Sequence, residues 1–108
     1  MPVQTKVLAE GLAGAAGLQV CYTVPAGQTA ILKDLRVFAF NDPSEVLTIS
    51  VRSGPRDVFI HSAPPPAGGL LWMGVWIVLA PGDQIVHGRG VGGGFHFRYS
   101  GAELDGVA

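Results

Sequence analysis

Apolar and polar residues alternate with a period of two along most of this chain, and the alternating runs end on glycine or proline. A period of two is that of an extended strand, whose successive side chains point to opposite faces. Such runs recur about every ten residues with turn residues between them, the pattern of an antiparallel sandwich or barrel. The punctuation weighs against the alternative. Sixteen Gly and eight Pro in 108 residues argue against a helical protein, because both are costly inside helices.

The runs can be read one by one. In Leu18–Val24, the residues Leu18, Val20, Tyr22 and Val24 share a face, with Gln19, Cys21 and Thr23 opposite. Pro25-Ala26-Gly27-Gln28 reads as a tight turn, with proline at the second position and glycine supplying positive φ. Thr29–Phe40 is a long strand: Ile31, Leu35, Val37 and Ala39 lie on one face, Phe38 and Phe40 on the other. Asn41-Asp42-Pro43-Ser44 turns the chain into Glu45–Arg52, with Leu47, Ile49 and Val51 inward and Thr48, Ser50 and Arg52 outward. Ser53-Gly54-Pro55-Arg56 leads to a short strand, Asp57–Ser62, and the run from Ala63 through Pro64, Pro65 and Pro66 to Gly69 is a stiff surface connection. Leu70–Leu79 is apolar on both faces: Leu71, Met73, Val75, Ile77 and Leu79 on one, Trp72, Trp76 and Val78 on the other. Such a strand is either central or at a subunit contact. Gln84–His87 is short, Gly88–Gly94 reads as a loop, and in Phe95–Ser100 the rings Phe95, Phe97 and Tyr99 oppose His96 and Arg98.

These runs make one domain over residues 1–108, an all-β antiparallel sandwich of about seven to eight strands. Thr5–Ala9 followed by a Gly/Ala loop makes residues 1–17 a peripheral arm, and residues 101–108 read as a loose tail. The turns Val24-Pro25-Ala26-Gly27-Gln28 and Leu79-Ala80-Pro81-Gly82-Asp83-Gln84 are alike. They suggest equivalent corners in two halves of a jelly-roll-like sandwich.

Charge narrows the function classes. Seven basic and eight acidic residues give a net charge of −1, unlike the basic footprint of a nucleic-acid binder. Charged residues are 14% and apolar residues 48%, against about a quarter charged in an average domain. A surplus of apolar groups on a small domain suggests that part of its surface faces another protein. The longest apolar run, Leu70–Ala80, is too short to cross a bilayer, and no membrane partner is expected.

No catalytic constellation emerges. Gly88-Arg89-Gly90-Val91-Gly92-Gly93 fits G-x-G-x-x-G, but a dinucleotide fold needs a helix after it, and Phe95–Tyr99 has a strand pattern. His61, His87 and His96 lack the i, i+2 spacing that puts two imidazoles on one strand face. Cys21 has no base at recognisable spacing. Asp34 and Arg36 look like a charge pair on one face of the long strand rather than a catalytic dyad. We therefore expect no enzyme, no cofactor and no metal. Trp72 and Trp76 share a strand face about 13 Å apart, far for a single sugar ring, so core or intersubunit packing is favoured over a host-glycan platform.

Three stretches, in order, resemble one family. Tyr22–Leu35 resembles the "TVPAG-x-x-A-x-L-x-x-L" opening of small virion proteins of tailed bacteriophages, notably those of actinobacteria. Trp76–Ile85 resembles their "W-x-V-L-x-P-G-D-x-L" segment, and Arg98–Leu104 their closing "x-x-S-G-Y-E-L", with Ala102 in place of the aromatic. The resemblance implies a β-sandwich structural protein located in the virion. It would be a minor tail component, or alternatively a head decoration protein, partnered by other copies of itself and other virion proteins. A carbohydrate-binding module for host attachment is the reading from another class. The expected contact residues are Phe38, Phe40, Pro64, Pro65, Pro66, Trp72 and Trp76, each an awkward apolar group if left exposed.

Overall fold

The computed structural model describes residues 6–13, 17–41, 46–64, 69–89 and 93–105, and the side chains of residues 40, 41 and 93 lie outside that description. Eight antiparallel strands occupy the described residues: β1 (Lys6–Ala13), β2 (Gly17–Thr23), β3 (Gln28–Asn41), β4 (Leu47–Ser53), β5 (Arg56–Ala63), β6 (Leu70–Leu79), β7 (Gln84–Arg89) and β8 (Gly93–Asp105). They form two four-stranded sheets, β1-β8-β3-β6 and β2-β7-β4-β5.

The order has a simple origin. Lys6 lies opposite Gly101, Gly17 opposite Arg89, Ala30 opposite Leu79 and Leu47 opposite Ala63. Each step inward from one end of the chain is matched by a step from the other. The protein is one long antiparallel ribbon, turned at Gly54-Pro55 and rolled so that its successive strand pairs fall alternately into the two sheets. Pairing of β3 with β8 and of β4 with β7 then completes the sheets. This is the jelly roll, the double-sheet solution for eight antiparallel strands.

The two similar turns are neighbours where the ribbon crosses from sheet to sheet. The Val24 amide donates to the Asp83 carbonyl (2.9 Å) and the Gly82 amide to the Val24 carbonyl (3.1 Å). Gly27 and Gly82 both take positive φ, +79° and +85°. In Ala80-Pro81-Gly82-Asp83 the proline holds the second position, closed by Asp83 N–H to Ala80 C=O at 3.0 Å. In the other turn, the Gln28 amide donates to the Pro25 carbonyl, so proline stands first, one place earlier than the sequence pattern suggests.

The inner faces follow alternation where the ladder is regular. Leu47, Ile49 and Val51 of β4, Leu71 and Leu79 of β6, and Phe95 and Tyr99 of β8 are buried. Among the strands whose ladders shift register, two put residues expected inward on the outer side. In β3, Ala30 and Leu32 point inward, but so do Leu35, Val37 and Ala39, because register shifts between Leu32 and Asp34 in both of its ladders. Ile31, expected inward, is therefore on the outer side. In β2 the register shifts between Val20 and Tyr22, so Leu18 and Val20 are exposed while Val24 is buried. Bulges of this kind insert a residue and reverse the facing of the strand beyond it.

Three boundaries also differ from expectation. β1 runs to Ala13 and pairs with β8 along its length, so residues 6–13 are an edge strand rather than an arm. Gly88 and Arg89 belong to β7, and Gly93 and Gly94 to β8, and the rest of the expected glycine loop, residues 90–92, lies outside the described residues. Residues 101–105 are not a tail: Gln28 pairs with Asp105 and Ile31 with Ala102. Glu103 there accepts hydrogen bonds from Lys6 Nζ and the Tyr22 hydroxyl, tying β1, β2 and β8 together at one side of the sandwich. The expected turn at 41–44 falls on residues 42–44, outside the described residues.

Candidate interaction surface

The outer face of the β1-β8-β3-β6 sheet gathers three of the seven expected contact residues, Phe38, Trp72 and Trp76. Register places them in rows. Leu70, Phe38, His96 and Leu12 form one row across β6, β3, β8 and β1. Trp72, Arg36, Arg98 and Glu10 form the next. Trp72 and Trp76 remain 65% and 68% exposed, and Phe38 48%. Leu70, Val78 and Leu12 are exposed as well. Isolated apolar residues on a surface need no explanation, but a contiguous set marks a contact site.

The bulge in β3 shapes the centre of this face. A bulge of this type aims two consecutive side chains to one side. Lys33 and Asp34 both reach the tryptophans: Lys33 Nζ lies 5.2 Å from the Trp76 ring centroid, and Asp34 Oδ1 accepts from Trp72 Nε1 at 2.6 Å. Arg36 donates from Nε to Asp34 Oδ2 at 3.0 Å and stacks over Trp72 with its guanidinium carbon 4.3 Å from the centroid. Asp34 and Arg36 are thus the charge pair expected from sequence, and they orient Trp72. A cation over an indole is worth about 0.5–1 kcal/mol at an exposed site, enough to hold the ring but not to cover it.

Trp72 and Trp76 flank Gly74, at which a side chain would meet open space. One face of the Trp72 ring is covered by Arg36, which weakens the case for stacking a sugar there. A shallow depression of about 190 Å³ lies among Arg36, Phe38, Leu70, His96 and Arg98. It is smaller than the roughly 300–1,000 Å³ of small-molecule pockets. The face suits a flat partner better than a small ligand.

The remaining expected contacts scatter. Pro64 is exposed at the end of β5, in the other sheet. Pro65 and Pro66, and the side chain of Phe40, lie outside the described residues. Alternation reached Trp72 and Trp76 and, carried two residues further each way, contains Leu70 and Val78. Alternation does not single out Val58 and Phe59 of β5, which are 63% and 60% exposed. Their signal is the run Val58-Phe59-Ile60, three consecutive apolar residues of which one must face out.

The other candidates go their separate ways. His87 is buried in the core, His96 lies on the outer face, and His61 is half-buried opposite Ile49. No group of three metal-ligating side chains comes together among the described residues. Cys21 donates to the Ile85 carbonyl at 3.3 Å, and burial pushes its thiol up to about 12. At neutral pH it is a protonated packing residue rather than a nucleophile.

Compared with known proteins, the chain matches no family model, and no curated protein matches it.

Proposed function

We propose that this protein is a structural component of a bacteriophage virion, a minor tail protein that assembles by burying apolar strand faces against neighbouring protein. The resemblance of Tyr22–Leu35, Trp76–Ile85 and Arg98–Leu104 to small phage virion proteins supplies the setting and the tail position. One observation carries the mechanism: β6, without a single charge, ends its sheet while leaving Leu70, Trp72, Trp76 and Val78 exposed. A strand apolar on both faces is stable in water when something covers it. Its position at an edge favours the subunit-contact reading over the central one.

The partners in this reading are further copies of the chain and other virion proteins, and the rigid jelly roll is the building block. A place on the head shell is the second outcome of the same experiment. Purified particles are analysed by mass spectrometry and the chain is localised by labelled electron microscopy. Presence in stoichiometric amount at the tail supports the proposal, and labelling over the head selects the decoration role. Absence from the particle refutes both. Trp72→Asp and Phe38→Asp are expected to leave a folded subunit that no longer enters particles. Unchanged incorporation of both would refute the role given to this face.

A further inference from the structure

We propose that two copies of this chain join edge to edge through β6, antiparallel about a two-fold axis at Gly74, to make one continuous eight-stranded sheet. The inference deepens the assembly reading above by naming the partner strand. Its test uses only purified protein, so its failure is separate from absence of the chain from a particle.

β6 hydrogen-bonds to β3 along one side and ends its sheet on the other. An edge strand presents a row of unpaired N–H and C=O groups, and native proteins blunt such edges with charge, proline or bulges. The other edges here follow that rule. β1 carries Lys6, Glu10 and a register shift, β5 carries Arg56, Asp57 and a register shift, and β2 has one as well. β6 has neither charge nor proline; its ladder with β3 also shifts register, between Leu32 and Asp34, but its inward and outward residues alternate without a break from Leu70 to Leu79.

The sequence of β6 is close to a palindrome about Gly74. On the outer face Trp72 mirrors Trp76 and Leu70 mirrors Val78. On the inner face Met73 mirrors Val75 and Leu71 mirrors Ile77. A two-fold antiparallel pair sets each residue opposite its mirror on the partner. Since the side-chain period is two, mirrored positions fall on the same face. Every cross-strand pair is then apolar against apolar, with two Trp–Trp pairs astride the axis. The contact is isologous, so it closes at two copies and does not propagate into a fibre. Gly74 keeps the axis clear.

The tryptophans supply part of the area a stable interface needs. A tryptophan brings about 150–250 Å², and these are about two-thirds exposed. The four in a pair therefore offer on the order of 500 Å², toward the roughly 1,200–2,000 Å² of a stable interface. Leu70 and Val78 add to it. So do Val58 and Phe59, because β1 lies against β2 and β5 is therefore the second sheet's edge on the β6 side.

The test is a cross-link in a Cys21→Ser background. Facing residues of an antiparallel pair have Cα atoms about 4.5–5.5 Å apart, within the reach of a disulfide. Mild oxidation is expected to convert Gly74→Cys into a covalent dimer, doubling the 11.2 kDa chain mass. Val78→Cys, also exposed but opposite Leu70, is expected to stay single. In sedimentation the unmodified chain runs as a dimer, and Gly74→Lys as a monomer with an unchanged β-sheet spectrum. A monomeric wild-type chain at high micromolar concentration overturns the proposal. Equal cross-linking of the two cysteine variants overturns it too, as does a folded Gly74→Lys that remains dimeric.

Discussion

Acidification is expected to weaken this fold through one buried imidazole. His87 points inward from β7, only 3% exposed, with its ring edge-on to Phe95, Phe97 and Tyr99 at centroid distances of 4.9, 4.4 and 5.5 Å. Its Nδ1 shares a 2.7 Å hydrogen bond with the Tyr99 hydroxyl. Among the described residues no acidic side chain hydrogen-bonds to it, and burial lowers the His87 pKa from 6.5 to about 4. The folded state thus binds the proton less readily than the unfolded state. Stability is whole above pH 6.5 and falls as pH drops from 6.5 toward 4, at up to about 1.36 kcal/mol per unit. Between pH 7 and pH 5 the loss comes to about 2 kcal/mol, and by pH 4 to about 3 kcal/mol. Domains of this size have roughly 5–15 kcal/mol in hand, so the effect is readily measured. Glu103 and Asp57, held below their ordinary values by Lys6 and Tyr22 and by Arg52 respectively, withdraw stability only at lower pH. Urea unfolding of the wild type and of His87→Gln at pH 7, 6 and 5 isolates the histidine. The wild type is expected to lose about 2 kcal/mol more than the variant over that range. Parallel loss in both, or an NMR titration placing folded His87 near 6.5, would refute the reasoning.

Further expectations concern packing. At Gly101 an added Cβ would sit 1.8 Å from the Ile31 carbonyl oxygen, where β8 passes the β3 bulge. Gly101→Ala is therefore expected to lose about 2–3 kcal/mol or more by urea melt, and an unchanged midpoint would show that the strands yield freely. The Ser50 hydroxyl is fully buried without a hydrogen-bond partner among the described residues. Ser50→Ala is expected to stabilise by about 1 kcal/mol, and a destabilised variant would point to a partner for that hydroxyl. Cys21 is expected to resist thiol reagents at neutral pH in the folded protein and to react fully in urea. Rapid labelling of the native chain would contradict its burial.

Much of this architecture was legible from residue order, for identifiable reasons. The inner rows of β4, β6 and β8 follow from alternation because they run without a change of phase, although Ser50 of β4, expected outward, is buried. The paired corners at Pro25–Gln28 and Ala80–Asp83 were visible as similar turns because both solve one problem, crossing from sheet to sheet side by side. The errors in β2 and β3 share a cause. A bulge at Cys21 or Lys33 has no sequence signature of its own, so a reading with constant phase puts Leu18, Val20 and Ile31 on the wrong side. The end of β8 is not legible in the sequence because Gly101-Ala102 has turn composition, whereas glycine is there to admit the Ile31 carbonyl. At the surface, Phe38, Trp72 and Trp76 could be named as exposed from alternation alone. Their coupling to Lys33, Asp34 and Arg36 could not, because it depends on the same bulge.

Both tryptophans of the chain stand on the face and edge whose covering underlies the whole account. Their fluorescence therefore reports on that surface alone. Iodide quenching of the purified protein, tracked from nanomolar to high micromolar concentration, measures the covering most directly. The account predicts readily quenched, red-shifted emission at high dilution that becomes blue-shifted and protected as copies associate. Emission equally open to iodide at every concentration, from a chain that sediments throughout as a single copy, would contradict it.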